Sequence, residues 1–444
     1  MSDYLTQYFR CPERSDRFAS KGQLSDTKGY FQFGEEVICY GGYSGHQPSA
    51  DPIQPLRDAF REIETGNGTS YLPFDPSQVI EDLHFETYVS EWRDAKPMST
   101  LASVYYFLRP FFPVNFRRYL QRIHLRGWDK LPFPKWPVDC SVDALLHRLL
   151  LLAVRSNDGK PIPFIWFWPD GASSSAIMTH DVETTIGRDF CPKLMDIDDA
   201  FGVKSSFQIV PEERYGVSKQ FLDSIWQRGF EVVVHDLNHD GHLYRDRQQF
   251  QDRASKINAY GKEFGATGFR AGVLYRKQLW YDALKFSYDM SIPNVAHLDP
   301  QRGGCCTVMP YFLGEILEIP VTTTQDYTLF HILNDYSIDL WKKQIDLIME
   351  KNGLISFIVH PDYIIKSRER EVYEDLLRYL VQLRQERNIW ITTPGEINRW
   401  WRNRAEMKLV ESEAGWRIEG PDQERARVAC ASEKDGKLVL TLPS

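Results

Sequence analysis

From about residue 161 the chain alternates short apolar runs with longer amphipathic stretches. That alternation predicts strands and helices in turn. Candidate strands are 176–182, 205–210, 231–235, 267–271, 286–291, 316–321, 354–360 and 388–392. Helical periods cover 218–227, 248–264, 338–351 and 368–387. Gly202 and Gly353 stand where helix-ending glycines belong. Strand and helix in regular succession is the mark of βαβ units. Eight strands over this length predict an α/β fold, a distorted (β/α) barrel that is irregular or incomplete. A doubly wound open sheet is the second possibility, because periodicity does not separate the two.

The flanks are patterned differently. Residues 1–160 show no repeat, and Gly34, Gly41, Gly42 and Gly45 punctuate short apolar pieces. Helical periods run over 56–64, 101–122 and 142–155, and Leu131–Val138 is a proline-rich extended connector. We expect an α/β accessory domain here, of unknown role. After residue 405 the pieces 407–410, 415–418, 426–430 and 437–442 read as short strands, a small β appendage over 406–444.

Composition narrows the class. Hydrophobic residues make up 42% and aromatics 14%, enough for a large packed core. A net charge of −8 argues against nucleic acid, which needs a basic face. Seven cysteines without C-x-x-C spacing make no disulfide framework, and reduced thiols in a cytoplasm are the simplest reading. The first residues have no apolar core of a secretion signal, and no run of 18 apolar residues exists to span a membrane. Two stretches have the composition for peripheral contact with a bilayer, Tyr105–Leu120 and Leu145–Arg155. Helices packed against the main domain are the favoured reading for both.

The chemistry gathers at the strand ends. Strand one ends Thr179-His180-Asp181-Val182-Glu183. The third ends His235-Asp-Leu-Asn-His239, with His242 beyond. The fourth ends Gly268-Phe-Arg270-Ala-Gly272, the fifth carries Tyr288-Asp289, and the seventh ends Val359-His360-Pro-Asp362. Active sites of α/β barrels lie at strand C-terminal ends, so these five ends offer imidazoles, carboxylates and an arginine to one rim. Asp181 and Glu183 share a strand face if extended, and His180 takes the other. His235 and His239 are four apart, so a helical turn or tight bend aims both rings at one point. Two histidines and a carboxylate make a catalytic metal shell with room for water and substrate. Cys305-Cys306 after Gly303-Gly304 reads as a tight turn with buried thiols rather than a lid, and Gln301-Arg302 are weak candidates for substrate contact.

These residues resemble the polysaccharide deacetylase (NodB-homology, carbohydrate esterase family 4) superfamily over about residues 165–405. Thr179–Glu183 is similar to its first motif, His235–His239 to its second, Arg270 with its neighbours to its third, Tyr288-Asp289 to its fourth, and Ile358–His360 to its fifth. The resemblance implies a distorted (β/α) barrel that hydrolyses acetyl groups with a divalent metal, zinc first and cobalt or nickel as alternatives. It implies Asp181 as the base and His360 as the acid. Glu183, His235 and His239 would hold the metal, Arg270 would hold the base, and Asp289 would tune His360. A backbone N–H near Ala271–Val273 would face the oxyanion. Val182 stands where the family's metal aspartate is usual, so Glu183 takes that work here. The customary proline of the third motif and tryptophan of the fourth are missing, which points away from a chitin-like polymer.

The expectation is therefore a metal-dependent hydrolase removing an N- or O-linked acetyl group from a carbohydrate or small amide. The alternatives are a related barrel hydrolase of a ureide or cyclic amide, and a glycan-binding barrel that does not cut.

Overall fold

The computed structural model describes residues 3–12, 18–66, 68–89, 125, 127–413 and 415–442. The expected helix over 101–122 and the stretch 105–120 lie outside the described residues. Among the described residues the α-helices are α1 (Asp3–Phe9), α2 (Pro76–His84), α3 (Ser141–Ser156), α4 (Thr185–Ala200), α5 (Lys219–Gln227), α6 (Arg247–Phe264), α7 (Asp339–Met349), α8 (Ser367–Arg387) and α9 (Pro394–Glu406). From residue 162 onward the strands used below are β1 (Ile162–Ile165), β2 (Ser175–Val182), β3 (Ser206–Ile209), β4 (Glu231–His235), β5 (Gly268–Arg270), β6 (Tyr288–Asp289), β7 (Tyr311–Leu313), β8 (Ile316–Glu318), β9 (Leu354–Ile358), β10 (Trp390–Thr392), β11 (Val428–Lys434) and β12 (Lys437–Thr441), and a separate antiparallel hairpin, Lys408–Ser412 with Gly415–Glu419, precedes β11.

The main sheet runs β7-β8-β6-β5-β4-β3-β2-β9, with β10 also against β2. Its pairs are parallel except the β7–β8 hairpin. All eight residues of β2 are buried, as a strand covered on both faces requires. Helix starts follow the sequence: Thr184, Ser218 and Asp246 accept backbone N–H groups at the heads of α4, α5 and α6. Gly202 lies beyond α4 with φ +62°. Gly353 serves another purpose than the one expected. Asn352 carries the left-handed conformation (φ +56°), and a Cβ on Gly353 would come within 2.5 Å of the Val308 side chain.

The sheet curls into an incomplete (β/α) barrel. Arg270 on β5 reaches Thr179 and Asp181 on β2, three strands away in the sheet order. The two ends of the sheet meet through threonines rather than a strand ladder. Thr322 Oγ1 donates to Leu354 O (2.7 Å) and accepts from Ser356 N (2.9 Å), while Thr323 N donates to Ser356 O (3.3 Å).

The flanks belong to the same body. One apolar cluster joins Phe9, Phe31 and Phe74 of the N-terminal region to Ile177, Val233 and Leu354 on the barrel's inner face. α3 places Leu145, Leu146, Leu149 and Leu150 in that cluster, so the stretch 145–155 is packed inside the protein. The expected helix over 56–64 is a single 3₁₀ turn, Ala59–Glu62. In the tail, β11 pairs antiparallel with β1 and with β12, tying the C-terminal strands to the residues that lead into the barrel. Among the described residues, no helix is long and apolar enough to cross a membrane.

Candidate active site

Side chains alternate across a strand, and that parity decides what enters the barrel. On β2, Thr179 and Asp181 point inward, where both meet Arg270. Ala176, Met178 and Val182 join the apolar cluster under the helices. His180 follows them outward: its Nδ1 bonds Val359 O at 2.9 Å and its Nε2 bonds Asp198 at 3.1 Å. It is a buried structural histidine.

Five groups converge at the rim. Glu183 Oε1 lies 2.9 Å from His239 Nε2, 3.6 Å from His235 Nε2 and 3.4 Å from His360 Nε2. Asp181 Oδ2 lies 3.7 Å from His235 Nε2. The bend that delivers the two histidines is tight, with Asp236 and His239 both left-handed (φ +57° and +54°). Arg214, in the loop after β3, donates to the His239 carbonyl and holds that bend. Gly272 leaves the room: a Cβ there would come within 2.5 Å of Asp236 Oδ2 and 2.9 Å of the His239 ring.

Electrostatics sort the acids from the bases. Burial alone would raise the Asp181 pKa, but Arg270, His235 and His360 outweigh it and hold it below the usual carboxylate range. Glu183 is held well below that range by His239 and its histidine neighbours, again against burial. Burial would lower His360, yet Asp326 and Glu183 push it well above the usual imidazole value. Arg270, fully buried, spends Nη1 on Asp181 Oδ1 (2.6 Å) and Thr179 (2.8 Å) and Nε on Met290 O (3.0 Å).

Asp289 is not where the motif reading put it. Tyr288 and Met290 face the barrel core, so Asp289 between them faces out. It accepts from Ser291 Oγ at 2.8 Å, and Ser291 Oγ in turn accepts the Ala271 N–H at 2.8 Å. Asp289 thus braces the loop after β5 from behind. It also removes Ala271 N–H from the donors expected for an oxyanion. The acid on His360 is Asp326: Nδ1–H donates to Oδ1 at 2.7 Å and the backbone N–H to Oδ2 at 2.7 Å.

The donor set fits a metal ion. Two triads, Glu183–His235–His239 and Asp181–Glu183–His360, have ligand atoms within 4.8 Å of one another. The ring nitrogens choose between them. His235 Nδ1 faces Arg270 O at 3.1 Å and so carries the proton, which leaves Nε2 as a lone pair aimed into the site. His235 Nε2 is buried without a hydrogen-bond partner, and His239 Nε2 meets only Glu183 Oε1, the third donor of the same triad. His360, protonated and held by Asp326, suits proton delivery instead.

No protein-family model and no curated protein matches the chain. Polysaccharide deacetylases are among the solved structures it is similar to. A Mycobacterium smegmatis protein assigned as one aligns at 17% identity and TM-score 0.43, covering 54% of this chain and 93% of that chain. A probable polysaccharide deacetylase from Pseudomonas aeruginosa PAO1 aligns at 13% and 0.41, covering 53% and 92%. Puue allantoinase gives the same values, 13%, 0.41, 53% and 92%.

Other sequence candidates fall outside the centre. His242 is exposed and 3.6 Å from Asp240. Cys305 and Cys306 are fully buried, with thiol pKa values raised by burial. Gln301 braces Arg276 through both of its backbone groups (3.1 and 3.0 Å). A small cleft lies among the loops at the C-terminal ends of β5, β6 and β8, lined by Trp136, Leu274, Leu298, Asp299, Thr323 and Gln325 among others. Gln325 directly precedes Asp326, so this cleft adjoins the wall that carries His360. Asp326, Arg214 and the cleft were not anticipated, although Thr322-Thr-Thr-Gln-Asp326 is a polar run at the end of a candidate strand like the other five.

Proposed function

We propose that this chain is a metal-dependent hydrolase that removes an acetyl group, N- or O-linked, from a carbohydrate-like substrate. The observation that carries the reading is the convergence of His235, His239 and His360 on Glu183 beside an arginine-held Asp181. Glu183, His235 and His239 would hold the ion, zinc or else cobalt or nickel. When bound, such an ion polarises a carbonyl and lowers the pKa of water to about 7.

The remaining steps belong to the chain's own groups. Asp181 is ionised at neutral pH and takes the proton from the attacking water, and Arg270 keeps the carboxylate aimed. His360 Nε2 carries a proton that goes to the departing amine or hydroxyl, and Asp326 stabilises the imidazolium until it leaves.

The test is metal content of the purified protein together with acetate release from acetylated sugars. About one equivalent of metal with turnover supports the reading. A protein that stays metal-free after addition of zinc, cobalt and nickel defeats it, and leaves a barrel that binds a glycan without cutting it.

A further inference from the structure

The Arg270–Ala271 peptide group is held from both sides, and one of its partners is His235. Its carbonyl accepts the Nδ1–H of His235 (3.1 Å) and the Asp236 N–H (2.8 Å). Its N–H, on Ala271, donates to Ser291 Oγ at 2.8 Å, and the Ser291 hydroxyl donates to Asp289 Oδ1 at 2.8 Å. Every bond in this row points the same way, from the His235 ring toward the Asp289 carboxylate. Hydrogen bonds aligned head to tail polarise one another.

A second acid stands beside Asp289. Asp289 on β6 and Glu318 on β8 are direct partners in the parallel register. Leu317 and Ile319 face the barrel core with Tyr288 and Met290, so both acids turn to the other face. They are 1% and 0% exposed, and their carboxyl groups hydrogen-bond each other. Two carboxyl groups make such a bond only when one keeps its proton, and like charges this close do not both ionise in an interior. Burial raises both acids, and the Asp289 charge pushes Glu318 further, well above the usual carboxyl range. Bonds from Glu318, Ser291 and Tyr281 act the other way on Asp289. Glu318 therefore holds the proton and Asp289 the charge. Each also grips one residue after β6: Ser291 N donates to Asp289 Oδ2 and Ile292 N to Glu318 Oε1, both at 3.0 Å. The Tyr244, Tyr281 and Tyr311 hydroxyls and the Cys305 thiol around the pair are raised by burial and stay neutral. Arg276, which pulls Glu318 down, is bonded to Glu86.

We propose that Glu318 is a positioning residue for the metal shell: by sharing its proton with Asp289 it keeps one buried negative charge at the end of the row, which fixes the His235 ring through Ser291 and the Arg270–Ala271 peptide and makes Nε2 a stronger ligand. This role rests on His235 being a ligand of the proposed ion. Outer partners of ligating histidines contribute about 10–100-fold in metal affinity.

Two measurements on the full-length protein test it: zinc affinity by competition with a chromophoric chelator, and the His235 tautomer in the metal-free protein by nitrogen NMR. Ser291→Ala breaks the row. It is expected to weaken zinc affinity about tenfold or more and to spread the His235 proton over both ring nitrogens. Glu318→Leu removes the donor to Asp289 and should weaken affinity likewise. Glu318→Gln, whose amide N–H still serves Asp289, should recover most of that loss. Glu231→Gln is the control for stability alone: it alters a buried acid bonded to Tyr288 and Gly395 at the other end of β4 and should leave both readouts as in the wild type. Wild-type affinity in Ser291→Ala or Glu318→Leu overturns the proposal, as does a Glu318→Gln protein that binds no tighter than Glu318→Leu. Should Ser291→Ala fail to fold, the two Glu318 variants still decide. A wild type that binds no zinc removes the metal shell itself, and this role with it.

Discussion

Asp326 grips His360 twice, once at Nδ1 (2.7 Å) and once at the backbone N–H (2.7 Å). One carboxylate therefore sets both the ring's tautomer and its position, and keeps Nε2 protonated toward Glu183. Asp326→Asn removes the charge that sustains the imidazolium. Proton delivery to a leaving group contributes about 10²–10⁴-fold, so kcat for acetate release should fall by about a hundredfold or more while metal content stays unchanged. Asp289→Asn, whose carboxylate bonds Ser291 and reaches the loop after β5 only through that hydroxyl, should cost far less. Equal losses in the two variants would contradict this division.

The metal shell and the base separate by measurement. His235→Ala and His239→Ala each remove a ring whose Nε2 is turned into the site toward Glu183, and both should purify without metal. Asp181→Asn keeps the ligands, so it should retain metal and lose turnover. Elemental analysis beside an acetate assay reads both quantities, and an Asp181→Asn protein that still turned over would remove that residue as the base.

Much of this site was legible because strand ends announce themselves. Asp181, Glu183, His235, His239, Arg270 and His360 each follow a β-branched or apolar run, and parity alone sends His180 away from Asp181. The same parity, applied to Tyr288 and Met290, would have turned Asp289 outward; a motif match overrode it. Asp326 has a weaker signal, since it stands five residues beyond the apolar run 316–321, at the end of the polar run Thr322–Asp326. Glu86 had no local signal at all, since its partner Arg276 lies 190 residues away. The short antiparallel β7 was missed for the same kind of reason, as its three residues have no period to read.

Gly272 makes a sharp test of the histidine geometry. Its missing side chain is filled by Asp236 Oδ2 and the His239 ring, at 2.5 and 2.9 Å from where a Cβ would stand. Gly272→Ala must displace one of them. His239 is the more exposed of the two, so the expected result is weaker metal affinity, by about 10–100-fold as for other losses of ligand support, with little change in thermal midpoint. Unchanged affinity would mean that the bend at 236–239 relaxes without moving His239 Nε2.

Glu86 ties the N-terminal region to the rim. It lies in a left-handed conformation (φ +55°) just after α2, and its Oε2 accepts from Arg276 Nε at 2.6 Å and Gln278 Nε2 at 2.8 Å. Oε1 accepts from Gly304 N at 2.6 Å and from Arg276 Nη2. A Cβ on Gly303 would lie 2.3 Å from that same Oε1, which accounts for the glycine. Arg276 carries the loop after β5 through its bond to Leu274 O (3.0 Å). Glu86→Gln strands a buried arginine, a loss of about 3–5 kcal/mol, read by urea unfolding. Replacing both partners, Glu86→Gln with Arg276→Met, should be less damaging than the sum of the single changes. Additive losses would show that the two side chains act independently.

Two buried groups of opposite sign predict how stability moves with pH. Burial holds the His84 pKa down to about 3, against 6.5 unperturbed. The unfolded chain then takes up the proton first, so the His84 contribution is intact above pH 6.5 and is lost as pH falls toward 3. By pH 5.5 the loss is about 1.4 kcal/mol. Asp143 runs the other way: burial outweighs its hydrogen bonds from Thr307, Val308 and Tyr8 and raises it from 3.8 to about 6. Its contribution is full below 3.8 and is lost as pH rises through 6, a swing of about 3 kcal/mol. The two effects oppose each other between pH 4 and 6, so the wild-type profile alone is uninformative. Unfolding free energies of His84→Phe and Asp143→Asn, each subtracted from the wild type, separate them. The His84→Phe difference should favour the variant increasingly below pH 6.5, and the Asp143→Asn difference should favour it increasingly above pH 4. Flat differences would show that neither group titrates on unfolding.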